Sequence, residues 1–167
     1  SSAKVQWSLH HVAGCRPRML RRALLSLLSC IGVTPGLLLV SVDEQPACGG
    51  AAARVAQEFG VRSVSRRNQQ YFESGSKRIA RHYKWSLHRA FEVLEPRAPA
   101  VVVVEEDLLF SVDFYTYMLS SLESIQGGSS CDSSNNDDDV DCPWTASGWN
   151  DNGYAGRVRD PAAVRLT

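Results

Sequence analysis

Two short apolar runs, LLLVSV at 37–42 and AVVVV at 100–104, constrain the fold most. Each is unbroken, rich in β-branched residues and set between segments of helical period. A run without polar alternation suits a strand covered on both faces, as in a parallel sheet. Upstream, KVQWSLHHV at 4–12 alternates and reads as a first strand, and VRSVS at 61–65 as a weaker one. Between them, RPRMLRRALLSLLSCIGV repeats Leu20, Leu24, Leu27, Leu28 and Ile31 at helical spacing, with Arg18, Arg21, Arg22 and Ser26 opposite and Gly32 closing the helix. GGAAARVAQEFG at 49–60 predicts a second helix. SKRIARHYKWSLHRAFEVL at 76–94 predicts a third, with Ile79, Tyr83, Leu87, Ala90, Phe91 and Leu94 along one side. A fourth, at 113–125, has Asp113 at its N-cap. Strand and helix alternate three times, which predicts an α/β fold: a parallel sheet with helices on both faces and right-handed connections.

In such sheets ligands bind beyond the carboxyl ends of the strands. Polar residues collect there. Cys15 and Arg16 follow the first strand, Asp43 follows LLLVSV, and Glu105, Glu106 and Asp107 follow AVVVV. Three adjacent carboxylates repel one another unless a cation is close. A hard divalent metal that completes its shell with phosphate oxygens would supply one, and Mg²⁺ or Mn²⁺ suits oxygen ligands. Read alone, the triplet is as readily the polar turn that ends a strand. The sequence has no GxxxxGK[ST] and no GxGxxG, which excludes a P-loop and disfavours a dinucleotide fold.

Eighteen basic residues balance eighteen acidic ones, so bulk charge gives no argument for nucleic acid or a membrane surface. No apolar run approaches the 18 or so residues of a membrane span. The five cysteines contain no CxxC pair, which removes the common zinc and redox spacings and leaves both disulfides and reduced thiols open. Residues 127–141, GGSSCDSSNNDDDVD, are polar and of low complexity, and predict a flexible insertion. CPWTASGW at 142–149 reads as one more strand before the turn-rich NDNGY.

Four stretches, CRPRMLRRALLSLL, KRIARHYKWSL, VVVVEEDLLFSVDF and SGWNDNGY, occur in the order and spacing of a known family. Through them the chain resembles the N-acetylglucosaminyltransferase I family, metal-dependent inverting glycosyltransferases that add N-acetylglucosamine to mannose. The resemblance covers roughly residues 5–160 apart from the insertion. It implies a nucleotide-diphospho-sugar transferase fold (GT-A, Rossmann-like), with residues 1–167 forming the donor-binding part of one catalytic domain, incomplete at the C-terminus. It implies UDP-N-acetylglucosamine as donor, a mannose-containing glycoprotein as acceptor, and Mn²⁺ (Mg²⁺ being the alternative) as metal. Asp107 matches the metal-binding aspartate. Glu105 and Glu106 match acids that contact donor sugar and ribose. Arg16 matches an arginine against the nucleotide, Asp43 an aspartate on uracil, and His82 a histidine at the nucleotide. Asp151, in WNDNGY, is a weaker donor-side candidate.

Each of these positions also has a plain structural reading. Arg16 suits a solvated residue before Pro17, Asp43 a helix-entry residue, and His82 a hydrogen-bonded core histidine. EED is the form found in the O-mannose branch of the family, whereas ARHYKW looks more like the N-glycan branch, so both acceptors stay open. The family also has a disulfide near Cys15 and Cys48, and Cys131 and Cys142 flank the insertion they would staple. The family's base belongs to a Trp/Asp-rich segment expected beyond Thr167, which leaves no catalytic residue expected in this chain and predicts a fragment. The full-length form is expected in the Golgi lumen as a type II membrane protein, reaching the membrane only through an N-terminal anchor outside this chain. Two further readings remain: a non-catalytic nucleotide-sugar-binding module and a metal-dependent nucleotidyltransferase.

Overall fold

The computed structural model describes residues 8–13, 16–67, 74–94 and 100–126. The expected insertion at 127–141, the strand at 142–149, WNDNGY and Asp151 lie outside them. Contacts divide the chain into two units, Ser1–Tyr115 and Thr116–Thr167. The first holds a mixed α/β arrangement around a small parallel sheet.

Four strands form that sheet: β1 (Ser8–Ala13), β2 (Leu38–Glu44), β3 (Arg62–Arg67) and β4 (Val101–Glu105), in the order β3-β2-β1-β4. All three pairings are parallel. Helix α1 (Pro17–Leu28) joins β1 to β2, α2 (Ala51–Glu58) joins β2 to β3, and α3 (Gly75–His88) lies between β3 and β4 in the chain. Helix α4 (Phe114–Gln126) follows β4.

The pleat sorts the helices. Leu38, Val40 and Val42 of β2 pack in one cluster with Leu20, Leu24 and Leu27 of α1 and Ala52, Val55 and Ala56 of α2. Alternate side chains of a strand point to opposite faces. On the other face, Ser41 bonds to His82 of α3. Helices α1 and α2 therefore cover one face and α3 the other. That is the arrangement a constant right-handed crossover demands when strand order runs outward to β3 and then returns across β1 to β4. The sheet thus has a switch point between the carboxyl ends of β1 and β4, where chain direction through the sheet reverses.

Several elements depart from the sequence reading. β2 and β3 run two residues further, to Glu44 and Arg67, so Asp43 lies inside a strand rather than after it. The register sets Asp43 and Glu44 beside Arg66 and Arg67, and opposite charges on paired strands favour the longer ladder. Helix α2 begins at Ala51 because Gly49 and Gly50 both take positive φ, +51° and +69°, outside helical space. Ile31 is exposed, lying past the end of α1. Ser26, read as solvent-facing, is half-buried: its hydroxyl donates to the Phe110 carbonyl (3.0 Å) and accepts from the Phe110 N–H (2.7 Å).

The third helix departs most. It is α-helical only to His88, and Arg89–Leu94 form a π-helical extension. Of the side assigned as apolar, Ala90 is buried and Tyr83 and Leu87 half-buried as expected, but Ile79 and Phe91 are exposed, while His82 and Ser86 are buried. β4, expected to be covered on both faces, is an edge strand among the described residues, and only Val104 is fully buried. Asp113 does precede α4 directly, and its carboxylate accepts from the Ser111 hydroxyl at 2.5 Å.

Candidate functional site at the sheet switch point

Parallel strands β1 and β4 are neighbours, with Val12 in register with Glu105. Their carboxyl ends therefore deliver Arg16 and the acidic triplet to one place, although some 90 residues of chain separate them. Arg16 Nε donates to Glu106 Oε1 at 2.5 Å, and Nη1 donates to Asp107 Oδ2 at 3.0 Å. Glu106 is buried, its side chain 4% exposed, whereas the Arg16 side chain is 56% exposed. The hydrogen bond to Glu106, with the charges of Glu106 and Asp107, holds the guanidinium above its ordinary value, partly opposed by desolvation. Two of the three charges whose cation was sought in a metal are thus met by a protein side chain.

The third acid points elsewhere. Tyr83 Oη on α3 donates to Glu105 Oε1 at 2.9 Å. The pleat explains the division. Val102 and Val104 face the α1 side, so Glu105 at odd register faces α3, and Glu106 returns to the α1 side. Burial, reinforced by the hydrogen bond and charge of Glu105 and by the charge of Asp107, raises the Tyr83 phenol well above its ordinary value. It therefore stays a donor. The sequence had placed Tyr83 among apolar residues. The signal for a polar role was its place beside His82 in ARHYKW, where an aromatic hydroxyl can satisfy an acid.

A second group lies under β2. His82 is 2% exposed, and its Nε2 stands 3.2 Å from the Ser41 carbonyl and 3.1 Å from the Ser41 hydroxyl. A carbonyl only accepts, so Nε2 carries the proton and Nδ1 is the bare acceptor. Burial pushes the imidazole below its ordinary value, partly opposed by the Ser41 backbone bond and the Asp43 charge. The ring also stacks on Trp85 at 5.6 Å. Both His82 Nδ1 and Asp43 Oδ1 are buried without a hydrogen-bond partner. Such orphan acceptors are uncommon and call for a donor. His82 thus has the burial and bonding of a core histidine, together with an unmet acceptor.

One helix positions much of this. Pro17 opens α1 at its first turn, which sets Arg16 at the N-cap position. Further along α1, Ser26 pins Phe110, Cys30 Sγ reaches the Ser111 carbonyl (3.2 Å), and the Ile31 N–H bonds to Val112 (2.9 Å) just beyond the helix. The loop after the acids is therefore tied to α1 at several points. Gly32, at φ +85°, lets the turn pass Tyr115, whose ring a Cβ would meet at 3.2 Å.

For a metal, the described residues offer no group of three His, Cys, Asp or Glu side chains. Asp107, half-exposed at the cluster's outer side, fits a cation held by one carboxylate and completed by phosphate oxygens and water, not an all-protein cage. A separate cavity of about 430 Å³, lined by Arg54, Gln57, Arg62 and Ser63 among others, opens at the amino end of β3, away from these acids. Its polar side chains are exposed. Cys48 is disulfide-bonded, and Cys30 is free and buried.

A model of the GNT-I family matches residues 55–167, a span that holds α3 and the acidic triplet but not Arg16 or Asp43. Over 87 residues the chain is 33% identical to the alpha-1,3-mannosyl-glycoprotein 2-beta-N-acetylglucosaminyltransferase of Arabidopsis thaliana, covering 52% of this chain and 16% of that relative. The chain thus spans about one sixth of the relative's length. With more than half its residues inside the family match, the chain belongs to the GNT-I family.

Proposed function

We propose that this chain is the donor-binding part of an inverting glycosyltransferase of the GT-A type. It takes UDP-N-acetylglucosamine and serves transfer in β-1,2 linkage to a mannose of a glycoprotein N-glycan. The observation that carries this reading is the meeting of Arg16 with Glu106 and Asp107 at the switch point, the position where open α/β sheets bind nucleotides. Membership of the GNT-I family and the acceptor in the relative's name favour the N-glycan.

In this reading Asp107 holds Mn²⁺ or Mg²⁺, which when bound offsets charge on the departing UDP. Arg16 presents its outer N–H groups to the nucleotide phosphates, since guanidinium matches phosphate oxygens in pairs. Tyr83 fixes one oxygen of Glu105 and leaves its carboxylate oriented toward the donor's hydroxyl groups. Asp43 and His82 supply acceptors for the N–H of a uracil ring, which suits their orphan atoms. No described residue is assigned as the base for the mannose hydroxyl. The Cys48 disulfide suits an oxidising compartment, here the Golgi lumen. Among the described residues no helix is long and apolar enough to cross a membrane.

Titration with UDP-N-acetylglucosamine by calorimetry, with and without Mn²⁺, tests the reading. Wild type should bind in a metal-dependent manner and Asp107→Ala should lose that dependence. Equal, metal-independent binding by both proteins would overturn the assignment.

A further inference from the structure

The acid cluster already has a cation, and its two bonds are unequal. Arg16 Nε meets Glu106, which is buried and held in place, while Nη1 meets Asp107, which is 39% exposed. The first bond is an anchor. The second can open toward solvent without leaving a buried charge uncompensated. Arg16 itself is more than half exposed, so its remaining donors face outward. No other cationic partner of Asp107 occurs among the described ion pairs, and the described residues offer no group of three side chains to grip a free metal ion. A cation arriving alone would have to displace a guanidinium from the one carboxylate it needs. It would also leave the displaced charge beside it.

We propose that Arg16 is an exchangeable counter-ion. Without a nucleotide diphosphate it holds Asp107. It releases that carboxylate to a divalent cation only when diphosphate oxygens take over its guanidinium. The two ligands therefore bind cooperatively, each raising the affinity of the other by the same factor. Glu106 stays paired to Nε throughout, so the arginine pivots and is not expelled. This inference rests on the donor-site reading above and adds to it the reason a one-carboxylate site stays closed to cations alone.

Free Mn²⁺ counted by electron paramagnetic resonance reads this without any transfer activity. In wild type, Mn²⁺ binding should be weak alone and tighten about tenfold or more with UDP, a typical coupling between sites. In Arg16→Gln, Mn²⁺ should bind about tenfold tighter than in wild type without UDP, and UDP should tighten it by a smaller factor than in wild type, the phosphate oxygens still completing the metal's shell. Arg16→Lys, which keeps one charge but not the fork, should fall between the two, and it carries the test if Arg16→Gln does not fold. Asp107→Asn should bind no Mn²⁺ under either condition. If UDP tightens Mn²⁺ binding in wild type yet the Arg16 variants bind free Mn²⁺ no better than wild type, the exchange is wrong while the donor site stands. A merely structural arginine would give that result. If UDP brings no Mn²⁺ to wild type at all, the donor-site reading fails and this proposal fails with it.

Discussion

Helices α1 and α3 cover opposite faces of the same sheet and do different work. α1 buries Leu20, Ala23, Leu24 and Leu27, an apolar stripe that closes on β2 and α2. α3 is longer, yet the residues it buries are His82 and Ser86. One face is sealed by hydrocarbon, where each fully buried leucine adds roughly 1.5–3 kcal/mol. The other buries Leu39 and Ala90 but is also closed by a hydrogen-bonded histidine and a tyrosine on an acid, with polar atoms left unmet. Polar groups are costly to bury unpaired and are commonly kept where a ligand needs them. The α1 face therefore carries the larger apolar core, and the α3 face holds polar groups in reserve.

Substitutions can break that contrast. Leu24→Ala on α1 should cost about 2–5 kcal/mol in denaturant unfolding, as a cavity in a packed core does. Ile79→Ala on α3 should change stability by less than about 0.5 kcal/mol, because Ile79 is exposed. Equal losses would mean that both helices carry core. Next in size, Ser26→Ala should cost about 1–3 kcal/mol by leaving the N–H and C=O of Phe110 without their partner. It should also weaken donor binding, because the loop after Asp107 loses its tie to α1.

The contrast also has a pH signature. Burial holds the folded His82 imidazole below 6.5, so below that pH the unfolded chain takes up a proton that the folded chain refuses. The stability this confers is complete above the ordinary imidazole range and is lost as pH falls through 6.5 toward the lower folded value. Thermal melts from pH 7.5 to 5 should therefore fall more steeply in wild type than in His82→Gln. Parallel curves would mean the ring is not shielded. A small effect also belongs to the exposed ion pair of Arg21 on α1 with Glu58 on α2. Arg21→Ala should cost no more than about 1 kcal/mol, including its contact with the Phe59 ring at 5.8 Å.

Much of the first unit was legible because period is a property of sequence. The four strands, α1 and α2 follow from β-branched runs and from leucine spacing, with the ends of β2, β3 and α2 shifted by two residues and α1 ending at Leu28, short of Ile31 and Gly32. α3 was legible as a helix but only partly in its facing: Ala90 is buried, Ile79 and Phe91 are not. Ile79 and Phe91 match an apolar stripe on a helical wheel, yet the sheet face that α3 meets carries Ser41, and its carboxyl edge carries Glu105. The bond of His82 to Ser41 of β2 and that of Tyr83 to Glu105 of β4 accompany a buried line that runs through His82, with Ser86 buried one turn on. Ser26 misled in the same way: a serine on the polar side of α1 meets a loop backbone that comes from 84 residues away.

By itself the sequence determined the alternation of strand and helix and the concentration of charge after AVVVV. It also determined the motifs that place the chain in the GNT-I family. Those are local patterns of period and residue type. Only the tertiary structure decided what the three acids meet. Parallel pairing of β1 with β4 carries Arg16 to Glu106 and Asp107, while the two-residue pleat turns Glu105 away to Tyr83. Neither partner can be read near the triplet in the chain. Strand order and side-chain alternation, set by packing across the whole sheet, fix both.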